Sequence, residues 1–240
     1  MKLSFRSFAA LSIAASSCAL AQSFIGNANP TNGQSGVFAY WNFNALSITT
    51  ASAPGAGGVP TTIASDFGSA SLSLSSWTGL VDDFGGSTLN AQSSAPSEES
   101  LSLVSNAGNG SFIQFSFSMA NLTGLVINFD RRGTSTGFST GQWSYSQNGS
   151  TFTNFGSNTA TTSTSFATVT PSVAITTLDN DSTVFLRYTL SGATNTSGNN
   201  RIDNVTLSAT YSAIPEPSTF GAILGVAALA GVAARRRRSV

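Results

Sequence analysis

The chain alternates apolar and polar residues with a period of two, again and again. Across Ser111 to Met119, Ile113, Phe115, Phe117 and Met119 fall on one side of an extended backbone, and Gln114, Ser116 and Ser118 on the other. Leu125, Ile127 and Phe129 alternate with Val126 and Asn128, and Val184, Leu186, Tyr188 and Leu190 with Phe185, Arg187 and Thr189. Val205, Leu207, Ala209 and Tyr211 form a last such face. Successive side chains of a strand point to opposite faces, so each segment offers one face to a core and one to water. An amphipathic helix needs apolar residues three and four apart, and no useful length of that pattern occurs between residues 22 and 213. Shorter strand candidates are Val37 to Phe43, Leu46 to Thr50, Ala70 to Leu74, Leu101 to Val104, Gln142 to Ser146 and Phe166 to Ile175. Asn148-Gly149, between Trp143-Ser144-Tyr145 and Thr151-Phe152, predicts a hairpin, because both residues tolerate positive φ. The glycine-rich stretches Pro54 to Gly58 and Asn195 to Asn200 read as loops. Many short strands without a regular repeat predict an all-β, antiparallel two-sheet β-sandwich.

The two ends follow other rules. Met1 to Ala21 reads as a signal peptide for the Sec machinery: Lys2 and Arg6 supply the positive region and Phe8 to Ala15 the apolar one. Ala19-Leu20-Ala21 is an A-x-A cleavage site that places the mature start at Gln22. Lipidation at Cys18 is the competing reading, but Ala15-Ser16-Ser17 lacks the leucine such a site carries three positions upstream. A cut after Ala21 removes the only cysteine, so the mature chain has no thiol or disulfide.

At the other end, Pro215-Glu216-Pro217-Ser218-Thr219 precedes an uncharged run from Phe220 to Ala234 and the cluster Arg235, Arg236, Arg237 and Arg238. As a helix the run would be about 22 Å long. That is short against a hydrocarbon core of about 30 Å. The arginines orient the segment by staying cytoplasmic, with everything before Ile214 outside. Pro215 and Pro217 hold the stretch before it extended and accessible. Motif, apolar run and arginine cluster in this order resemble the PEP-CTERM sorting signal of Gram-negative bacteria. The resemblance implies an exosortase-type membrane enzyme acting near Pro215, Glu216 and Pro217. It also implies transient residence in the inner membrane, then delivery to the cell surface or extracellular matrix. An ordinary tail anchor is the alternative. The expected organisation is therefore a signal peptide (1–21), a β-sandwich domain (22–213) and a sorting signal with a hydrophobic helix (214–240).

The net charge of zero conceals an asymmetry. Between Gln22 and Ala213 stand four arginines, nine acidic residues and no lysine, a net charge of −5. Such a domain is a poor nucleic-acid binder, because phosphate contacts need cations. The chain has no histidine, which removes the usual general base and a common metal ligand. Only 8% of residues are charged, and Ser, Thr, Asn and Gly supply a neutral, hydrogen-bonding surface suited to an extracellular setting among polysaccharides.

Four segments carry a second resemblance: Phe129-Asp130-Arg131-Arg132-Gly133, Trp143 to Gly149, Phe185-Leu186-Arg187-Tyr188, and Asn199 to Val205. They resemble galactose-binding-like and carbohydrate-binding modules of bacterial surface proteins, which implies a jelly roll whose last strand starts near Ile202-Asp203-Asn204. It further implies a structural Ca²⁺ at Asp203, where hard oxygen ligands suit that ion. The other reading of Asp203 is a turn cap, or a partner for Arg201 or Arg187. Trp41, Trp77, Trp143 and Tyr145 are candidates for a sugar-stacking platform. Trp143 and Tyr145 share one face of a strand and are the best of them, with core burial as the ordinary alternative. Asp130 with Arg131 and Arg132 reads as a strand-end salt bridge or a sugar grip. The adjacent acids Asp82-Asp83 and Glu98-Glu99 read as solvated loops, since neighbours on a strand cannot face one another as a glycosidase pair must.

These observations predict a non-enzymatic, exosortase-sorted surface or matrix protein that binds carbohydrate and associates with exopolysaccharide or biofilm. The alternative is a secreted polysaccharide-acting enzyme, a glycosidase or lyase with an acid-based site.

Overall fold

A computed structural model describes residues 22–156, 163–171 and 174–213. The strands are β1 (Ser35–Trp41), β2 (Thr62–Ala64), β3 (Ser71–Ser73), β4 (Leu80–Gly85), β5 (Glu99–Val104) and β6 (Phe112–Phe117). They continue with β7 (Leu122–Gly133), β8 (Thr140–Ser146), β9 (Thr153–Phe155), β10 (Ala167–Val169), β11 (Val184–Ser191) and β12 (Asn199–Tyr211). The first sheet runs β10-β7-β12-β5-β4, with β1 also pairing to β12; the second runs β2-β3-β6-β11-β8-β9. All pairings given by the register are antiparallel. From β5 to β8 the chain crosses between sheets at every step, and it does so again from β9 to β12. That repeated crossing is the sheet-to-sheet winding of a jelly roll.

The alternation assigned the faces correctly. Leu186 and Tyr188 of β11 lie opposite Phe115 and Ile113 of β6 and opposite Tyr145 and Trp143 of β8, all on the inner side. Leu125, Ile127 and Phe129 of β7 are buried from the other sheet. Between the sheets the aromatic rings interlock: Trp143 stacks on Tyr188 at 4.7 Å, and Phe129 meets both edge-on at 5.5 and 5.6 Å. Trp41 meets Phe115 edge-on at 5.1 Å.

Several boundaries differ from expectation. The last strand begins at Asn199, so Asn199 and Asn200 leave the predicted loop and enter β12. Leu46 to Thr50 is not a strand; the Ile48 N–H donates to Asp83 Oδ2 at 2.6 Å instead of to a neighbouring backbone. Asp82 and Asp83 lie on β4 and not in a loop. Phe166 to Ile175 contains only the short β10 and an isolated bridge from Ile175 to Leu125. The Asn148-Gly149 hairpin forms between β8 and β9, with Gly149 at φ 71°. Among the described residues no helix is long and apolar enough to cross a membrane. The signal peptide and the predicted hydrophobic helix lie outside the described residues.

Candidate functional site

The predicted platform is part of the core. Trp143 is 1% exposed and is enclosed by Phe115, Phe129, Phe155 and Tyr188. Tyr145 packs partly buried against that core and against Phe155 at 5.9 Å. A ring that stacks on a sugar must present a face to solvent, and Trp143 has none to present. Trp41 and Trp77 are buried too. Trp143 and Tyr145 do share one face of β8, and it is the inner one, with the polar Gln142 and Ser144 on the outer.

That outer face of the second sheet holds a different constellation. Register places Arg187 opposite Gln114 on one side and Ser144 on the other. The Arg187 guanidinium lies over the Phe112 ring at 4.0 Å and the Phe152 ring at 3.6 Å. Its Nε donates to Gln114 Oε1 at 2.9 Å, and burial lowers its pKa from the ordinary value. Phe185, Ser116 and Thr189 lie on the same side by alternation. A guanidinium held flat between two rings is oriented, and its terminal nitrogens remain donors for a hydroxyl or carboxylate. Sequence reasoning named Arg187 but missed Phe112, Gln114 and Phe152, which come from segments far apart in the chain.

The outer face of the first sheet carries a buried polar network. Asp130 and Asp203 are direct register partners on β7 and β12, 0% and 1% exposed. The segment between β4 and β5 covers them. Asp203 accepts the Ser87 N–H on Oδ2 and the Asn204 N–H on Oδ1, both at 2.7 Å. Asp130 accepts the Asn90 N–H at 3.0 Å, the Asn204 Nδ2 at 3.2 Å and the Thr168 hydroxyl at 2.5 Å. Asn204, at φ 47°, joins the layers: its Nδ2 donates to Ser87 O at 2.7 Å, and its Oδ1 accepts the Tyr40 hydroxyl at 2.5 Å. Asn90 Nδ2 returns a bond to Asn204 O at 2.7 Å. Burial pushes the Asp203 carboxyl up to about 7, against the two backbone donors that lower it. Burial likewise pushes the Tyr40 hydroxyl up to about 12.

This network corrects two expectations. Asp130 is not in a strand-end salt bridge; it is sealed under the covering segment and bound by neutral donors. Asp203 pairs with neither Arg201 nor Arg187, and its donor set does not fit Ca²⁺. Every carboxylate oxygen of Asp203 and Asp130 already accepts a protein N–H or O–H, and no group of three or more acids is placed to hold a metal ion among the described residues. A calcium site draws six to eight oxygens, usually with more than one carboxylate turned to the ion. The geometry fits the other reading of Asp203, a cap for the backbone of Ser87 and Asn204.

A cleft of about 350 Å³ lies beside β2, lined by Phe43, Leu46, Pro60, Ile63 and Asp66 among others. Its one carboxylate, Asp66, is engaged by the Asn42 N–H at 2.7 Å. Asp82 and Asp83 point to opposite faces of β4, as neighbours on a strand must.

The predicted processing residues Ala21, Pro215, Glu216 and Pro217, and the orienting Arg235, Arg236, Arg237 and Arg238, lie outside the described residues; Gln22 is the first residue described. Residues 213–238 match the model of the PEP-CTERM protein-sorting motif. The chain carries a PEP-CTERM sorting signal. The PEP-CTERM match begins at the last residue of the compact unit Gln22–Ala213 and takes in both the Pro-Glu-Pro motif and the arginines. A search of curated proteins finds no match. Among solved structures, the chain is similar to the CBM22-1 xylan-binding domain of Paenibacillus barcinonensis Xyn10C, at 9% identity and TM-score 0.44 over 77% of this chain and 99% of that one. It is also similar to the C-terminal family 22 carbohydrate binding module of Clostridium thermocellum Xyn10B, at 12% identity and TM-score 0.40 over 77% and 99%. A third is TmCBM61 in complex with β-1,4-galactotriose, at 9% identity and TM-score 0.35 over 69% and 92%.

Proposed function

We propose that this protein is exported through Sec, processed at its C-terminal signal by an exosortase-type enzyme, and delivered to the cell surface or its exopolysaccharide. There its sandwich binds carbohydrate without turning it over. The sorting signal at residues 213–238 carries this reading. The binding surface is the outer face of the second sheet, where Arg187, Phe112, Phe152 and Gln114 combine apolar rings with fixed hydrogen-bonding groups. Neutral sugar chains offer the complementary chemistry, apolar C–H faces rimmed by hydroxyls. The placement of the acids supports a non-enzymatic role. Asp130 and Asp203 are sealed beneath a loop, and Asp82 and Asp83 diverge, so neither pair flanks a space that admits a glycosidic bond.

Affinity electrophoresis through gels of neutral polysaccharide tests the binding, alongside reducing-sugar release. Arg187→Gln and Phe152→Ala reduce retardation while leaving the circular dichroism spectrum intact. Retardation unchanged in both variants overturns the assigned face. Sugar release that disappears in Asp82→Asn or Asp83→Asn overturns the non-enzymatic role.

A further inference from the structure

The opposite side of the sandwich carries two arginines in an arrangement that is unfavourable as it stands. Arg201 of β12 and Arg132 of β7 are direct register partners. Asp203 and Asp130, two residues along from Arg201 and Arg132 on the same strands, lie on the outer face of the first sheet, so the arginines share that face. Like charges directly opposite one another across a sheet destabilise it. The Asp130–Asp203 row is roofed by the segment after β4, whereas the arginines of the next row are only half-buried.

Neither guanidinium is in an ion pair among the described residues. Arg201 lies over the Phe84 ring at 4.6 Å, its Nη1 donates to Gly85 O at 3.2 Å, and its Nε is buried without a partner. Arg132 lies over the Phe166 ring at 5.6 Å, and its side chain has no hydrogen-bond partner among the described residues. Ser102, opposite Arg201 on β5 and fully buried, has a hydroxyl without a partner. Asp82 and Glu99 face Arg201 from the β4–β5 edge and offset part of its charge, while Arg132 presses on it from the other side. The row therefore runs from acid through two arginines to an aromatic ring. It has rings to seat the guanidiniums and no anion between them.

We infer that Arg132 and Arg201 form a site for the carboxylate of an acidic polysaccharide, a uronate-type chain, on the face opposite Arg187. A planar carboxylate accepts two parallel N–H bonds from a guanidinium, and one lying between both arginines would cancel the repulsion in the register pair. Phe84 and Phe166 flank the pair and offer apolar surface to the sugar rings on either side. The domain's net charge of −5 opposes a polyanion at long range. That field is screened beyond roughly 8 Å at physiological ionic strength, so the local pair governs binding there. The inference is independent of the Arg187 face, and the two are tested on different polymers.

The experiment compares polygalacturonate with its methyl-esterified form, which keeps the sugar backbone and removes the charge. Full-length chain in detergent is used, with R235Q, R236Q, R237Q and R238Q in every arm so that the tail cluster does not bind the polyanion. The parent is retarded in polygalacturonate and much less in the esterified polymer. Arg132→Gln weakens binding about tenfold, the loss of one charge-assisted pair. Arg201→Gln does the same, and neither changes retardation on the neutral polymers used for Arg187. Because the Arg132 side chain has no hydrogen bond to lose among the described residues and its removal relieves the repulsion on Arg201, Arg132→Gln keeps or raises the melting temperature and serves as the decisive variant. Equal binding to both forms, no binding to polygalacturonate, or binding unchanged in Arg132→Gln overturns the site. Loss of the neutral-polymer binding in Arg187→Gln alone bears only on the other face.

Discussion

Truncating Trp143 to alanine separates a core residue from a binding platform. The indole is 1% exposed and touches four rings: Phe115 at 5.8 Å, Phe129 at 5.5 Å, Phe155 at 6.3 Å and Tyr188 at 4.7 Å. Removing a buried tryptophan costs about 3–5 kcal/mol, the lost transfer energy plus the cavity. The surroundings are rings fixed on four strands of two sheets, which collapse poorly, so the upper half of that range applies. No hydrogen bond is lost, because the indole Nε1 has no partner. At roughly 2–4 °C per kcal/mol for a domain of this size, the melting temperature falls by about 8–20 °C. Thermal and urea unfolding followed by circular dichroism measure the change. Trp143→Phe fills most of the cavity and loses much less. Below the transition, the Trp143→Ala protein that remains folded still binds neutral polysaccharide. A melting temperature unchanged within about 2 °C together with lost binding would refute this reasoning and return Trp143 to the surface.

Three further outcomes follow from the polar network. The folded-state pKa of Asp203 is raised from 3.8 to about 7, so the folded protein holds that proton more tightly than the unfolded chain. Its contribution to stability is therefore present at low pH and is lost as pH rises from near the unfolded pKa through about 7. The melting temperature falls over that window in the parent and flattens in Asp203→Asn; a parent that becomes steadily more stable over the window contradicts the buried carboxyl. A Cβ on Gly86 would sit 2.4 Å from Asp203 Oδ2 and 2.6 Å from Glu99 O. Gly86→Ala thus costs about 1–3 kcal/mol in urea unfolding, and a neutral result would show that the covering segment is loose. Excess chelator leaves the melting temperature unchanged, since the oxygens of Asp203 are taken by N–H donors; a fall of several degrees would place a stabilising cation there.

Strand periodicity made the sandwich legible. β6, β11 and the outer half of β12 alternate cleanly because one face meets the core and the other water. β2 escaped notice, and β9 was legible only as the second arm of the Asn148-Gly149 hairpin, placed two residues early at Thr151-Phe152: three residues at a sheet edge are too few to display a period, and Thr62-Ile63-Ala64 and Thr153-Asn154-Phe155 hold a single large apolar residue each. β4 was hidden by Asp82-Asp83, because a strand at an edge can turn Asp83 inward when the Ile48 N–H meets it. Leu46 to Thr50 shows the converse, an alternating segment whose backbone is held by a side chain.

The candidate surfaces were less legible, and for a different reason. Local pattern places Trp143 and Tyr145 on one face, and only the polar neighbours Gln142 and Ser144 hint that this face is the inner one. The cluster around Arg187 is made by register with Gln114, 73 residues away, and by a hairpin that brings Phe152 over the strand. The opposition of Arg132 and Arg201 has the same origin, as does that of Asp130 and Asp203. Alternation tells which side a residue takes, but not which distant strand lies beside it. The sorting signal needed no folding at all, since its order of motif, apolar run and charge is itself the message.

The mass of the mature protein from its native cell tests the central claim most directly. Intact mass spectrometry should show a chain that begins at Gln22 and ends within or near Pro215 to Pro217, with any attached group appearing as added mass on that species. A chain that still ends at Val240, with its apolar run and arginines in place, would contradict processing at the sorting signal and leave the tail as a membrane anchor.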